Sequence, residues 1–385
     1  MSQSATPFAA TDDETLLVAS VDRFIAEHYD FAGWRRITAR PDGFSREHWR
    51  TMAELGWLAL ALPEAYGGLG LGARERMRLM ESFGKGLVLE PYFTTAVLGA
   101  ELVLGSDSAF HRDDILPKIA AGELLLAFAH AEPGSRFDLA DVKCRAQRTA
   151  TGYVLTGSKI AVLDAPAADR LLVLARTGGG QRDRTGLSLF VIDRAAPGLV
   201  QRDYPTVDHR RCSDIEFDAV AVEPTALLGA EDNAWPIVER AVDHAIGALC
   251  AEAVGAMGIL IDATIEYLKT RRQFGRPLAE FQALRHRVAD MIVAHEQCRS
   301  LVMVAASTLA DAGTAAASRS ATVSAAKVQT GRAGRFIGEN AIQLHGAIAV
   351  TDELHVGHYV KRLMAIDTMF GNADFHVHRF REYCP

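Results

Sequence analysis

The sequence predicts an α+β multidomain protein in which two helical regions flank a β-rich middle. Three observations carry that reading. At 385 residues the chain is too long for one ordinary core and divides into two or three domains. Helical periodicity governs the first third and returns after Ala234. Between Leu124 and Leu228 it gives way to short β-rich runs.

From Asp12 to about Gly122 the signals are helical, as in REHWRTMAELGWLALALP, where Trp49, Met52 and Leu55 recur at three-residue intervals with polar residues between them. Pro63 and YGGLGLG then break the pattern. No strand precedes these glycines, Gly67 to Gly72, and their spacing misses G-x-G-x-x-G, so they read as a loop between helices and not as a phosphate cradle. In the middle third GYVLTGSKIAVL, RLLVLA, LSLFVID and CSDIEFDAVAV, separated by Gly, Pro and Asp turns, read as a β domain. Within it TGSKI, Thr156 to Ile160, reads as a turn into a strand. After Ala234 long helical periods are broken at RRQFGRPL and HGAIAVTDELH. The Ala-rich MVAASTLADAGTAAASRSATVSAAKV reads as a helical pair, because Leu, Val and Lys interrupt it at helical spacing. The expected boundaries are an N-terminal α-helical domain over 1–123, a middle β domain over 124–229 and a C-terminal helical domain over 230–385.

Composition excludes several classes. With 49% hydrophobic residues, 23% charged and a net charge of −7, the chain reads as soluble and globular without a basic face for nucleic acid. Cys144, Cys212, Cys250, Cys298 and Cys384 are odd in number and widely spaced, with no C-x-x-C pair, which suits reduced cytoplasmic thiols. The N-terminal MSQSATPFAATDDETLL shows neither a basic region followed by an apolar run nor an Arg-rich amphipathic pattern, so no targeting segment is expected. No window holds the roughly 18 uninterrupted apolar residues of a membrane span. His355 and His358 share a helix face, yet no acid or thiol at ligand spacing completes a metal site. No G-x-S-x-G elbow appears, which sets aside a serine hydrolase.

YLKTRRQFGRPLAEFQALRHRVADM, Tyr267 to Met291, joins two helices through a short loop holding Arg271, Arg272, Phe274 and Gly275. Clustered arginines beside an exposed aromatic suit a phosphate-bearing, ring-containing ligand. A solvated helix end whose cations satisfy the dipole is the plain alternative. This segment resembles the signature of the acyl-CoA dehydrogenase family, flavoproteins of the same helical, β, helical order. ELGWLALALPEAYGGLGLG resembles the family's N-terminal domain, AHAEPGSRFDL its middle-domain flavin loop and QLHGAIAVTDELHVGHYVKR its C-terminal segment. The resemblance implies an α-helical domain, a β-barrel-like domain and a C-terminal four-helix bundle, assembled as a dimer or a dimer of dimers, with FAD between the β domain and the bundle. It implies further that Arg271 and Phe274 reach the FAD of a neighbouring subunit, that Gln343 and Gly346 lie near its pyrophosphate, and that Ala131, Leu163, Gln282 and Asn372 join the cofactor site.

In that family an acyl-CoA thioester loses its α-proton to a carboxylate and its β-hydride to the flavin, and electrons pass on to an electron-transfer flavoprotein. The glutamate of the usual Y-E-G-T motif falls here at Phe370 in MFGNAD, and the alternative helical position falls at Ala245. Three acids stand nearby as candidate bases. Asp374 lies four residues after Phe370, Asp243 two residues before Ala245, and Glu252 seven residues after Ala245 on nearly the same helical face, about 10 Å further along. Their plain alternatives are a solvated carboxylate beside FHVHRF, a surface helix residue, and a buried carboxylate that needs a partner.

Leu163, in Ala161-Val162-Leu163, stands where many relatives place the threonine of Trp-Ile-Thr, and it has no side-chain donor. Ala347 and Ala349 stand where glycine is common. These departures resemble the small subunits of bacterial two-subunit acyl-CoA dehydrogenases of pimeloyl-CoA (dicarboxylic) or steroid type, in which a second subunit brings the base. Three readings result. The first is an acyl-CoA dehydrogenase, catalytic alone or as one subunit of a homo-oligomer or heterotetramer. The second is a non-catalytic partner that completes another chain's flavin site. The third is a nitroalkane-oxidase-like flavoprotein with Asp374 as base.

Overall fold

Side-chain caps open several of the helices in the computed structural model, which describes residues 11–384. The first ten residues of the stretch read for targeting signals lie outside the described residues. Thr11 opens α1 (Asp12–His28) with a capping box: its hydroxyl accepts from the Glu14 N–H at 3.1 Å, and the Glu14 carboxylate accepts from the Thr11 N–H at 3.3 Å. After α2 (Phe31–Thr38), Ser45 caps α3 (Arg46–Glu54) by accepting from the His48 N–H at 3.3 Å. Trp49 and Met52 are buried, as their spacing predicts. Leu55 falls one residue past the helix end and is half exposed. The glycines up to Gly72 form the loop that leads into α4 (Ala73–Gly86). A π-helical stretch at Phe93–Gly99, α5 (Ala100–Gly105) and α6 (Ala109–Ala120) follow.

The middle of the chain is one mixed sheet of β1 (Leu126–Ala129), β2 (Arg145–Thr149), β3 (Gly152–Leu163), β4 (Arg170–Arg176), β5 (Leu187–Asp193), β6 (Leu199–Pro205), β7 (Arg211–Val222) and β8 (Leu227–Leu228). The strand order is β6-β7-β3-β2-β4-β5-β8, with β1 parallel to β4. Leu171 to Ala175 are completely buried, which accounts for the unbroken apolar run of β4: a strand covered on both faces has no polar side. Thr156–Ile160, expected as a turn, is a correction. It lies inside β3, where the pairing with β7 shifts between Leu155 and Gly157 and again between Lys159 and Val162. Gly157 takes φ 145°, and a Cβ there would meet the Cys144 Cα at 2.7 Å, so the glycine marks a bulge and not a chain reversal.

Helices return with α7 (Trp235–Thr270), a two-stranded hairpin of β9 (Arg272–Gln273) and β10 (Arg276–Pro277), α8 (Gln282–Ala310), α9 (Ala316–His345), α10 (Val356–Thr368) and α11 (Ala373–Tyr383). The Ala-rich stretch is the α8–α9 pair. The observed order is therefore helices, sheet, helices. α7 is long and apolar enough to cross a membrane by composition alone, but 89% of its most apolar stretch is buried within the protein.

The chain forms two units: one holds the chain up to Arg36, Gly72–Val88 and the chain from Ile246 onward, and the other holds Ile37–Leu71 and Leu89–Ala245. In the first, α4 and α7 meet backbone to backbone through glycines. A Cβ on Gly84 would sit 1.9 Å from the Glu252 carbonyl oxygen, and one on Gly255 would sit 1.8 Å from that of Glu81. In the second, Thr95 of the π-helical stretch exchanges hydrogen bonds with the Leu126 backbone of β1, accepting at 3.0 Å and donating at 3.3 Å.

Candidate cofactor and base sites

α7 ends at Thr270, and the chain turns back with Gln273 paired to Arg276 and Arg272 to Pro277. The tip is Phe274 at φ 53° and Gly275 at φ 80°, two successive left-handed residues. That backbone suits a tight hairpin, and glycine adopts it freely where phenylalanine does not. Phe274 is nevertheless 89% exposed, so burial of its own ring does not explain it. The Arg276 guanidinium lies 4.1 Å over the Phe281 ring, and Phe274 meets that ring edge-on at 6.1 Å. Arg271, Arg272 and Gln282, the first residue of α8, are exposed beside it. An exposed aromatic among cations matches the chemistry of an anionic dinucleotide.

At the C-terminal end of α9, Gln343 is exposed in the last turn, and Gly346 ends the helix at φ 72°, ψ −152° with nothing within 4 Å of a notional Cβ. The glycine is there for its backbone, and the space above it is open. His345 is buried, donates from Nδ1 to the Ala341 carbonyl at 2.9 Å and stacks on Tyr267 at 4.5 Å; burial lowers its pKa. His355 and His358 pack against Phe31 at 6.1 and 5.5 Å, and His358 against Trp34 at 4.7 Å.

The turn between α10 and α11 carries Phe370, at φ 56°, and Gly371, at φ 112°. Lys327 of α9, fully buried, donates to the carbonyls of Ile366 at 2.6 Å, Asp367 at 3.0 Å and Gly371 at 3.0 Å. His376, also fully buried, bonds the Phe370 carbonyl through Nε2 at 3.1 Å and the Ser324 hydroxyl through Nδ1 at 3.2 Å. Burial and the Lys327 charge push His376 down to about 3, so it is neutral with the proton on Nε2. Asn372 caps α11 by accepting from the Phe375 N–H at 3.0 Å.

The three acids have distinct surroundings. Glu252 is 2% exposed, and both its oxygens accept from Arg362. Asp243 is fully buried in the second unit, next to His244, whose Nδ1 lies 3.5 Å from Glu101 Oε1. Asp374 is exposed in the first turn of α11. Ala245 is completely buried and Phe370 half-buried.

In the second unit, Ala131 and Leu163 lie on two segments that are tied together. The Ile160 N–H donates to the Ala131 carbonyl at 2.9 Å, and buried Lys159 bonds Glu132 at 2.7 Å and the His130 carbonyl at 3.1 Å. Glu132 also accepts from the N–H groups of Lys143 and Cys144. Burial and the Lys159 charge push His130 down to about 4. Ala161 stands at φ 50°, with its N–H donated to Asp214 at 3.1 Å. In the first unit, the arginines and the open backbone at Gly346 fit a flavin dinucleotide. In the second unit, Leu163 has no side-chain donor. Sequence reasoning missed Lys159, Lys327, Arg362 and His376. The one available signal was a lone lysine on an alanine face, in SAAKVQT.

Family models for the acyl-CoA dehydrogenase N-terminal, middle and C-terminal domains match residues 11–123, 127–220 and 233–382, in that order. A 2-methylacyl-CoA dehydrogenase of Solanum tuberosum is 29% identical over 309 residues, 78% of this chain and 74% of its own. An L-prolyl-[peptidyl-carrier protein] dehydrogenase of Pseudomonas fluorescens is 33% identical over 267 residues, 67% of this chain and 70% of its own. Among solved structures, a variant of the Tcur3481-Tcur3483 steroid ACAD superposes with a TM-score of 0.86 at 28% identity, covering 97% of this chain and 98% of its own.

Proposed function

This chain belongs to the acyl-CoA dehydrogenase family of oxidoreductases, and on that premise we propose that it serves FAD-dependent α,β-dehydrogenation of an acyl thioester to the 2-enoyl thioester as one subunit of a heteromeric enzyme. The observation that carries the reading is the hairpin, whose exposed Phe274 and flanking arginines are what an arm reaching a neighbouring subunit's cofactor needs. FAD, when bound, supplies the two-electron acceptor for the hydride leaving the β-carbon. Arg271 and Arg272 neutralise its phosphates. Gln343 and the main chain at Gly346 would hold the pyrophosphate, with Gln282 and Asn372 as further polar contacts. Ala131 and Leu163 would contribute main-chain groups to the cofactor.

The α-proton needs a carboxylate with a free lone pair. In Glu252 both oxygens are engaged by Arg362, so taking a proton would break a buried ion pair. The two positions where the family keeps its base are Phe370 and Ala245, and neither side chain accepts a proton. With Glu252 paired and both family positions apolar, this reading takes the base from the partner subunit and passes the electrons to an electron-transfer flavoprotein. A second reading, in which this chain supplies its own base, is favoured by the exposure of Asp374.

The test is the visible spectrum of the chain expressed alone, titrated with short, branched, dicarboxylic and polycyclic acyl-CoA thioesters. No bleaching of the flavin band is expected until a second subunit is added. Bleaching by the chain alone that disappears in Asp374→Asn would install the second reading instead.

A further inference from the structure

Lys327 uses all three of its donors on backbone: the carbonyls of Ile366 at 2.6 Å, Asp367 at 3.0 Å and Gly371 at 3.0 Å. The first two belong to the last turn of α10, where the Ile366 carbonyl also accepts from the Met369 N–H at 3.3 Å, and the third lies beyond the helix. One buried cation thus closes the end of α10 onto the approach to α11. Between the tie points Phe370 sits at φ 56°. A bulky residue stays in that region only where its surroundings over-determine it, and the bonds at Ile366, Asp367 and Gly371, with His376 on the Phe370 carbonyl, are that determination.

We propose that Lys327 is the positioning residue of the 368–372 turn: by gripping three carbonyls it holds Phe370 left-handed and fixes where the side chain at position 370 stands. Its relevance to catalysis rests on the dehydrogenase reading above, because the family keeps its base at the position that Phe370 occupies here. Four elements pack their titratable groups around the ammonium. Cys250 of α7 and Asp367 of α10 face it directly, and His376 of α11 senses its charge, with Arg379 behind. Cys298 of α8 connects only through Cys250 and Thr330. Burial raises both thiols and lowers His376, which favours the neutral form of each. Burial also brings Lys327 down to about 8. Losing its proton leaves two N–H donors and turns a lone pair toward the third carbonyl, which loosens the turn.

Chymotrypsin cleavage after Phe370, in the full chain and without ligand, reads the turn directly. Cleavage after the exposed Phe274 in the same digest cancels the protease's own pH dependence. The expected ratio of the two rises roughly ten-fold between pH 7 and pH 9.5 in the wild type. In Lys327→Met it is already high at pH 7 and is flat with pH. A wild-type ratio that does not change with pH, or Lys327→Met indistinguishable from wild type at pH 7, overturns the proposal. If Lys327→Met does not fold, the wild-type pH series decides alone. A loosened turn together with no thioester ever bleaching the assembled enzyme would sink the dehydrogenase reading and leave the positioning role standing.

Discussion

Both oxygens of Glu252 accept from one guanidinium, Arg362 Nε at 2.6 Å and Nη2 at 2.7 Å, and neither residue is more than 4% exposed. A paired charge of this kind is tolerated in the interior because each partner cancels the other. Removing one leaves the survivor uncompensated, at a cost of about 3–5 kcal/mol. Arg362→Met and Glu252→Gln should each lower unfolding free energy by that order in urea titrations. The double variant should cost less than the two singles together, and strict additivity would show that the pair is not coupled.

The hairpin at Arg271–Pro277 predicts the opposite signature. Its tip touches little of its own chain, so Phe274→Ser should leave stability within about 0.5 kcal/mol of wild type. Arg271→Ala behaves likewise. Each should weaken FAD retention by about ten-fold, equivalent to ~1.4 kcal/mol, read from flavin fluorescence on dilution of the assembled enzyme. Wild-type retention in both variants would remove the hairpin from the cofactor site.

What the sequence made legible follows from distance along the chain. The switch from 3.6-residue to 2-residue periodicity placed the sheet between two helical regions, because both patterns are local. Arg271, Phe274 and Gly275 stood out for the same reason, as chemistry packed into five residues. Arg362 was not legible as the partner of Glu252, since 110 residues separate them. Lys327 grips carbonyls some forty residues downstream, and a backbone acceptor leaves no side-chain signal to read. Thr156–Ile160 was misread because glycine marks bulges as well as turns.

His376 sets an acid limit. Its folded-state pKa lies near 3 against an ordinary 6.5, so between those values the unfolded chain binds a proton that the folded chain refuses. Stability from this group is therefore complete above pH 6.5 and declines as pH falls, by about 2 kcal/mol between pH 7 and pH 5. His130, pushed down to about 4, acts in the same direction. His376→Asn, which cannot take up the proton, should be less stable than wild type at pH 7 and should close most of that gap at pH 5. A stability difference that does not vary with pH would show that His376 titrates normally in the folded state.

Gly84 and Gly255 form a reciprocal contact, each lying against the backbone carbonyl of the facing helix. The space denied to a Cβ is denied by main chain, 1.9 Å from the Glu252 oxygen in one case and 1.8 Å from the Glu81 oxygen in the other. A flexible side chain would swing aside, but a carbonyl within an α-helix moves only if the helix moves. Gly255→Ala should therefore push α4 and α7 apart and cost at the upper end of the 1–3 kcal/mol typical of overpacking, despite the gain of about 1 kcal/mol in helix propensity. Separating these helices also shifts Glu252, three residues before Gly255, relative to its partner Arg362. Gly255→Ala and Arg362→Met should then be less than additive, because the first already strains the pair that the second deletes. Gly258→Ala, on the same helix with only the His295 ring at 3.7 Å, is the control and should be neutral or stabilising.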